Sequence, residues 1–397
     1  MDKPLPAGWR RVRLGEVCRE DRVIIDPTSP DANNLPFLGL EHIESETGII
    51  LLDPEDLPHT ALSTTFLFDT GHVLYGKLRP YLNKVAIPNF SGKCSTEIVP
   101  LYPINVERYY LAWFLRRQET VSEAMKQKTG SRMPRADLRE LFNLSIPLPP
   151  LDEQQRIVAI LNEKMAAVQQ ARRAAEEQLR AVQALPAAYL RQAFPQPGQP
   201  LPAGWRRVRL GNLGVLDSGG TPAKKEPSYW NGNIPFVTGA DITNLYITSQ
   251  NARTFLTEAG LSSGKPAVCH PGTVIIVTRT RVGRIGIAAE IMGASQDISP
   301  FHCGETILAE YLVRYWQSIA DFIISNTRGA TIQGLTKGFV TSLSIPLPPL
   351  DEQQRIVAIL NEKMAAVQQA RRAAEEQLRA VQALPAAYLR QAFSGEL

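Results

Sequence analysis

The chain has 397 residues, 44% of them hydrophobic, and carries 43 lysines and arginines against 39 aspartates and glutamates for a formal net charge of +4. That length and apolar content allow two or three domains with sizeable cores, and so small a net charge excludes a uniformly basic coat. No apolar run reaches the roughly 18 residues of a membrane span, the start MDKPLPAGW has no apolar signal core, and Cys18, Cys94, Cys269 and Cys303 show neither metal-ligand nor disulfide spacing; a soluble, cytoplasmic protein without structural metal is expected.

In chain order, the block PLPAGWRRVRLG runs from Pro4 to Gly15 and returns from Pro200 to Gly211. Glu16–Asn143 follows the first copy and Asn212–Ser342 the second, with little sequence in common. Both read as mixed α and β. HVLYGKL, VAIP, IPFVTG, GTVIIVT and RIGIAAE are short β-branched or aromatic runs bounded by Gly, Pro and Asn, whereas ERYYLAWFLRRQETVSEAMKQ and ILAEYLVRYWQSIADFIISN are helical by period. Residues 16–144 carry 14 basic and 18 acidic groups and residues 212–343 carry 10 and 9, so basic character is local: YGKLRPYLNK, KQKTGSRMPRADLR and TRTRVGR. Trp230, beside Lys224, Lys225 and Tyr229 in a loop rich in turn residues, suits either nucleic-acid contact or a core anchor.

A second block is written twice in full. Leu144–Phe194 matches Leu343–Phe393 without one substitution. Pro147, Pro149 and Pro150 forbid helix before it, Asp152 can cap, and Glu153 suits the positive end of the dipole. Val158, Leu161, Met165, Val168, Ala175, Leu179 and Val182 then form a heptad seam interrupted by Arg172; the second copy has Val357, Leu360, Met364, Val367, Ala374, Leu378 and Val381. Pro186 is expected to stop or kink the helix, leaving Ala187–Phe194 as a short second one, so the rod has roughly 33 residues and a length of about 50 Å. One apolar stripe needs a partner, and two identical rods in one chain most readily pair antiparallel about a pseudo-twofold axis. The expected class is α+β, with domains at 1–144 and 200–343, helical spacers at 145–194 and 344–397, and a linker at 195–199.

The catalytic motifs that suggest themselves fail on chemistry. GHVLYGKL has phosphate-loop spacing, but Leu78 stands where a magnesium-binding hydroxyl is needed. NLPF at Asn34 and NIPF at Asn233 carry Leu35 and Ile234 where the amino-methyltransferase tetrapeptide requires a proline, and His42, His59, His72, His270 and His302 show no ligand pairing. No enzyme activity, catalytic residue or metal site is assigned. Two different domains on identical rods suit a bipartite duplex DNA target with unlike half-sites.

The order of blocks, with IPLPPLDEQQRIVAIL in both copies, closely resembles the specificity subunits of type I restriction and modification systems. KLRPYLNK, CSTEIVPL and TGSRMPRADL in the first variable region, and GGTPAKKEPSYWNGNIPFVTGADI and GATIQGLTKGFVTSLSIPLPPL in the second, look like two of that family's target-recognition domains. The resemblance covers nearly the whole chain. It implies a non-catalytic subunit that reads double-stranded DNA and recruits two methylation subunits, which use S-adenosylmethionine; two restriction subunits, using ATP with Mg2+, can join. The implied DNA-binding residues are Lys77, Arg79, Tyr81, Asn83, Lys84, Ser131, Arg132 and Arg135 in the first domain. In the second they are Thr221, Lys224, Lys225, Tyr229, Arg279, Arg281, Arg284, Thr331 and Gln333. Arg172, Arg173, Glu176, Glu177, Arg371, Arg372, Glu375 and Glu376 form the implied partner surface on the rods. Two alternatives are a specificity subunit directing a fused nuclease and methyltransferase of another restriction type, and a coiled-coil interaction protein that never touches DNA.

Overall fold

The two copies of the short block and the two copies of the long block meet each other in the backbone. In the computed structural model, which describes residues 5–26, 34–59, 63–126, 133–327 and 334–397, Arg10–Arg13 pairs antiparallel with Ser145–Leu148, and Arg206–Arg209 pairs with Ser344–Leu347 in the same register. Each two-stranded ribbon is built wholly from repeated sequence, so both ends of a variable stretch are closed by the same clasp.

The chain divides into two compact units, residues 1–176 with 376–397, and residues 177–375. In the first unit, Cys18–Glu20, Ile98–Pro103, Val73–Gly76 and Val85–Ala86 form one four-stranded sheet. A second orders Ile24–Ile25, Thr65–Phe68, Gly92–Ser95 and Phe37–Leu38. The other unit repeats the plan: Gly214–Leu216, Ile298–Cys303, Val274–Val277 and Ile285–Ala288 follow the first order, with Tyr246–Ile247 added at the edge. Its second sheet runs Thr254–Leu256, Trp230–Val237, Met292–Ala294 and Ala267–Cys269. The one parallel pairing inside each second sheet also corresponds, Phe37–Leu38 on Gly92–Ser95 and Trp230–Val237 on Met292–Ala294. Two stretches with little common sequence thus share most of their strand order, although each second sheet has its own edge strand, Ile24–Ile25 beside Thr65–Phe68 in the first unit and Thr254–Leu256 beside Trp230–Val237 in the second. Alternating burial and turn placement, rather than particular side chains, specify the shared register.

The long helices span Leu151–Ala193 and Leu350–Ser394, 43 and 45 residues. They begin one residue before Asp152 and Asp351, which lie in the first turn beside the dipole's positive end. Of the stop or kink expected at Pro186, the stop does not occur: Pro186 and Pro385 stand inside the helices, and no separate second helix forms. A proline forfeits one backbone bond and crowds the preceding turn. The residues beyond it offset this by burial: Leu190 and Phe194 enter the core of the second unit, and Leu389, Ala392 and Phe393 that of the first. At 1.5 Å per residue the rods are about 64 and 68 Å long, not about 50 Å.

Within the first unit the start of one long helix lies with the end of the other. Ile157, Val158 and Leu161 share a core with Leu389, Ala392 and Phe393, and the ring of Phe393 packs on Tyr110 and Phe114. The second unit does the same with Ile356, Val357 and Leu360 against Leu190 and Phe194, whose ring meets Tyr311 and Tyr315. Met165 and Met364 are partly buried, Val168, Val367, Ala175 and Ala374 buried, and Leu179, Val182, Leu378 and Val381 half-buried.

Buried polar groups lock each helix to its domain. Gln154 accepts from the Glu107 amide at 2.7 Å and donates to the Pro149 carbonyl at 2.9 Å. Gln353, fully buried, accepts from the Leu308 amide at 2.9 Å and donates to the Thr306 and Pro348 carbonyls at 2.9 and 3.0 Å. Tyr110 and Tyr311 donate to the carbonyls of Pro147 and Pro346. Asn162 and Asn361 take different donors, the indole of Trp113 and the guanidinium of Arg314. One repeated socket therefore holds two unlike domains.

Candidate nucleic-acid interface

One basic cluster of each variable stretch falls on a corresponding loop. In the first unit the strand Val73–Gly76 leads into Lys77–Lys84, and in the second Val274–Val277 leads into Thr278–Arg284. The Gly76 amide donates to the Lys84 carbonyl and the Val277 amide to the Arg284 carbonyl, which closes both loops at the same place. Leu78 bridges to Arg135 and Arg279 to Gly334, so a downstream segment lies against each loop.

Some of the basic and polar side chains fold back onto the protein and others reach outward. Lys84 donates to the Leu40 carbonyl at 2.7 Å, and Arg284 donates to the Ala240 carbonyl at 3.2 Å and the Ile242 carbonyl at 3.5 Å. Asn83 donates to the Arg116 carbonyl at 2.8 Å. Arg116 lies buried with its guanidinium on the Val85 carbonyl, and burial pulls its pKa down to about 10, which still leaves it charged at neutral pH. Arg135 makes a forked pair with Glu97, which pushes its pKa further up. Lys84, Arg284, Asn83 and Arg135 thus build the loops.

Arg79, Tyr81, Arg279 and Arg281 are exposed, and Lys77 is half-exposed. In the second unit Lys224 and Lys225 are exposed on the loop before the Pro227–Tyr229 turn, while Thr221 and Tyr229 are half-buried. Trp230 is an anchor: its indole donates to the Ala223 carbonyl at 3.1 Å and its ring meets Phe236 edge-on at 5.5 Å. It holds the loop that displays the two lysines. Ser131, Arg132, Thr331 and Gln333 lie outside the described residues.

On the rods, Arg172 pairs with Glu176 at 2.9 Å and Arg371 with Glu375 at 3.3 Å, one turn apart on their own helices. Arg173, Glu177, Arg372 and Glu376 are exposed. Among the described residues no group of three histidines, cysteines or acids could hold a metal ion, and no helix is long and apolar enough to cross a membrane.

Two domains of related topology, each with an exposed basic loop and each locked to a copy of the same helix, define a protein with two recognition domains. The family model described as the type I restriction modification DNA specificity domain matches residues 6–175 and 202–374, and the chain belongs to that family. It is similar to the type I restriction enzyme EcoDI specificity subunit of Escherichia coli, 31% identical over 156 residues. It is also similar to the MjaIX specificity subunit of Methanocaldococcus jannaschii, 24% identical over 164 residues. These matches cover 39% and 41% of the chain but only 34% and 38% of the relatives' own lengths. Among solved structures, one chain from work on complex assembly and conformational transition of the type I R-M system is 30% identical, with full coverage of both chains and a TM-score of 0.85. The HsdS subunit from Thermoanaerobacter tengcongensis is 30% identical, covered over 100% of this chain and 99% of its own, with a TM-score of 0.68.

Proposed function

We propose that this chain is the sequence-specific DNA-binding subunit of a type I restriction and modification complex, reading an asymmetric bipartite site in the cytoplasm with one half-site for each unit. The observation that carries the reading is the repeated frame: the family match recurs in both halves, each spanning a recognition domain and the start of its helix, while the exposed loop residues differ between the halves. Different loops call for different half-sites. Identical helices and clasps call for a partner bound twice in the same way.

Of the residues expected to contact DNA, Arg79, Tyr81 and Lys77 in the first unit, and Arg279, Arg281, Lys224 and Lys225 in the second, are side chains available to it; Asn83, Lys84, Arg135 and Arg284 position the loops. Arginines suit paired bonds to guanine, whereas lysines more often hold phosphate. Two methylation subunits would supply S-adenosylmethionine chemistry on adenine, and restriction subunits would supply ATP and Mg2+ chemistry; this chain contributes recognition and scaffolding. Arg173 and Glu177 with Arg372 and Glu376 are the rod residues best placed to contact them, since Arg172 and Arg371 are engaged with their own helices.

Expressing the chain with its methylation partner in cells without other adenine methylation, then mapping modified bases, tests the reading. An asymmetric motif of two unlike halves separated by an unspecified gap is expected. Modification at no fixed motif, or at a palindrome, would refute it.

A further inference from the structure

The geometry points to Thr280 as a base-reading residue of the second unit, in the place that Arg79 occupies in the first. The inference rests on the DNA-reading role proposed above. Nothing in the letters LRPYLN and RTRVG aligns these two residues; the backbone does. The Lys77 amide donates to the Glu97 carbonyl at 2.9 Å, and the Lys77 carbonyl accepts from Ala136 at 2.9 Å. The Thr278 amide donates to the Asp297 carbonyl at 2.8 Å, and its carbonyl accepts from Leu335 at 2.8 Å. The next residue in each loop, Leu78 or Arg279, makes the isolated bridge, and the residue after that is left-handed in both: Arg79 at φ 51° and Thr280 at φ 61°.

Left-handed backbone is costly for any residue with a Cβ and most costly for a branched one such as threonine. Arg79 is further restricted by Pro80, which disfavours helical backbone before it. Glycine would fill either place without strain. Both residues are exposed, so core packing does not explain their side chains. Strain of this kind clusters at ligand sites, and here it recurs at one point of two loops that share no sequence.

The chemistry of the two side chains then sets what each can read. The Thr280 hydroxyl donates its proton to the Arg279 carbonyl at 2.7 Å, which leaves its oxygen as an acceptor beside an apolar methyl group. It can accept from the amino group of adenine or cytosine, or place its methyl on that of thymine, but has no proton for guanine O6 or N7. Arg79 is the converse, all donors, and matches guanine. The two half-sites should therefore differ at the base facing this shared position: guanine under Arg79, a different base under Thr280.

The test maps methylation motifs for the full chain with its methylation partner, comparing the unaltered protein with Thr280→Gly and Thr280→Arg. A motif for the unaltered protein is the control; its absence would overturn the proposed function itself. Given that motif, Thr280→Gly should relax one position of the second half-site toward all four bases, leave the first half-site unchanged and melt no lower, because glycine accepts the backbone angle. Thr280→Arg should shift the same position toward guanine. An unchanged motif in either variant, or uniform loss of methylation in Thr280→Gly with no position relaxed, would overturn the role of Thr280 while leaving the subunit's function standing.

Discussion

Replacing Gln353 with leucine, a side chain of similar size, isolates the hydrogen bonds that fix the second recognition domain to its helix. The substitution strands the Leu308 amide and the Thr306 and Pro348 carbonyls, all of which Gln353 satisfies in the native protein. A stranded buried donor costs about 1–3 kcal/mol, and each carbonyl with a second lone pair up to about 1, which gives a total of about 2–5 kcal/mol. Gln354, the next residue, is exposed, so Gln354→Leu should change stability by no more than about 0.5 kcal/mol. In a unit of this size each kcal/mol moves the melting midpoint by about 2–4 °C, so Gln353→Leu should melt about 4–20 °C below Gln354→Leu in a calorimetric scan. Gln154→Leu, which removes two bonds rather than three, should lie between them. Equal midpoints for Gln353→Leu and Gln354→Leu would show that the glutamine does not anchor the domain.

The outward and folded-back loop residues should separate in their effects. Arg281→Ala and Arg79→Ala should weaken DNA binding in salt titrations, by about 1–3 kcal/mol for a guanine contact or with a slope smaller by about 1 for a phosphate contact, at unchanged melting temperature. Lys84→Ala and Arg284→Ala should instead lower stability by about 1–3 kcal/mol in urea unfolding, since each leaves a loop carbonyl without its charged donor. Exchanging residues 212–342 for another recognition domain should alter one half of the methylated motif and keep the other; a change in both halves would contradict independent reading. Inserting four residues after both Ala174 and Ala373 adds about 6 Å and slightly more than one turn to each helix, so methylation mapping should return the same half-motifs with a gap longer by one or two base pairs. Recovery of the original gap would remove the helices from any role as a ruler.

The repeats, the punctuation of the long helices and the alternation of the short strands are local properties of the chain, and the mixed α and β character and the family resemblance were legible from them. The glutamine of DEQQ was legible only as a polar letter near a helix start. Its role depends on the amides of Glu107 and Leu308, 47 and 45 residues away, which folding alone brings to it. The stop expected at Pro186 fails for the same reason: the proline's local cost is fixed, but the burial of Leu190 and Phe194 that offsets it is a tertiary gain. In the basic clusters, sequence places the charges and cannot tell a cation that reaches outward from one folded back onto a carbonyl, as Lys84 and Arg284 are. The match of Arg79 with Thr280 lies further still from the letters, because it is defined by backbone hydrogen bonds to distant strands and by the sign of φ, which side-chain identity does not specify.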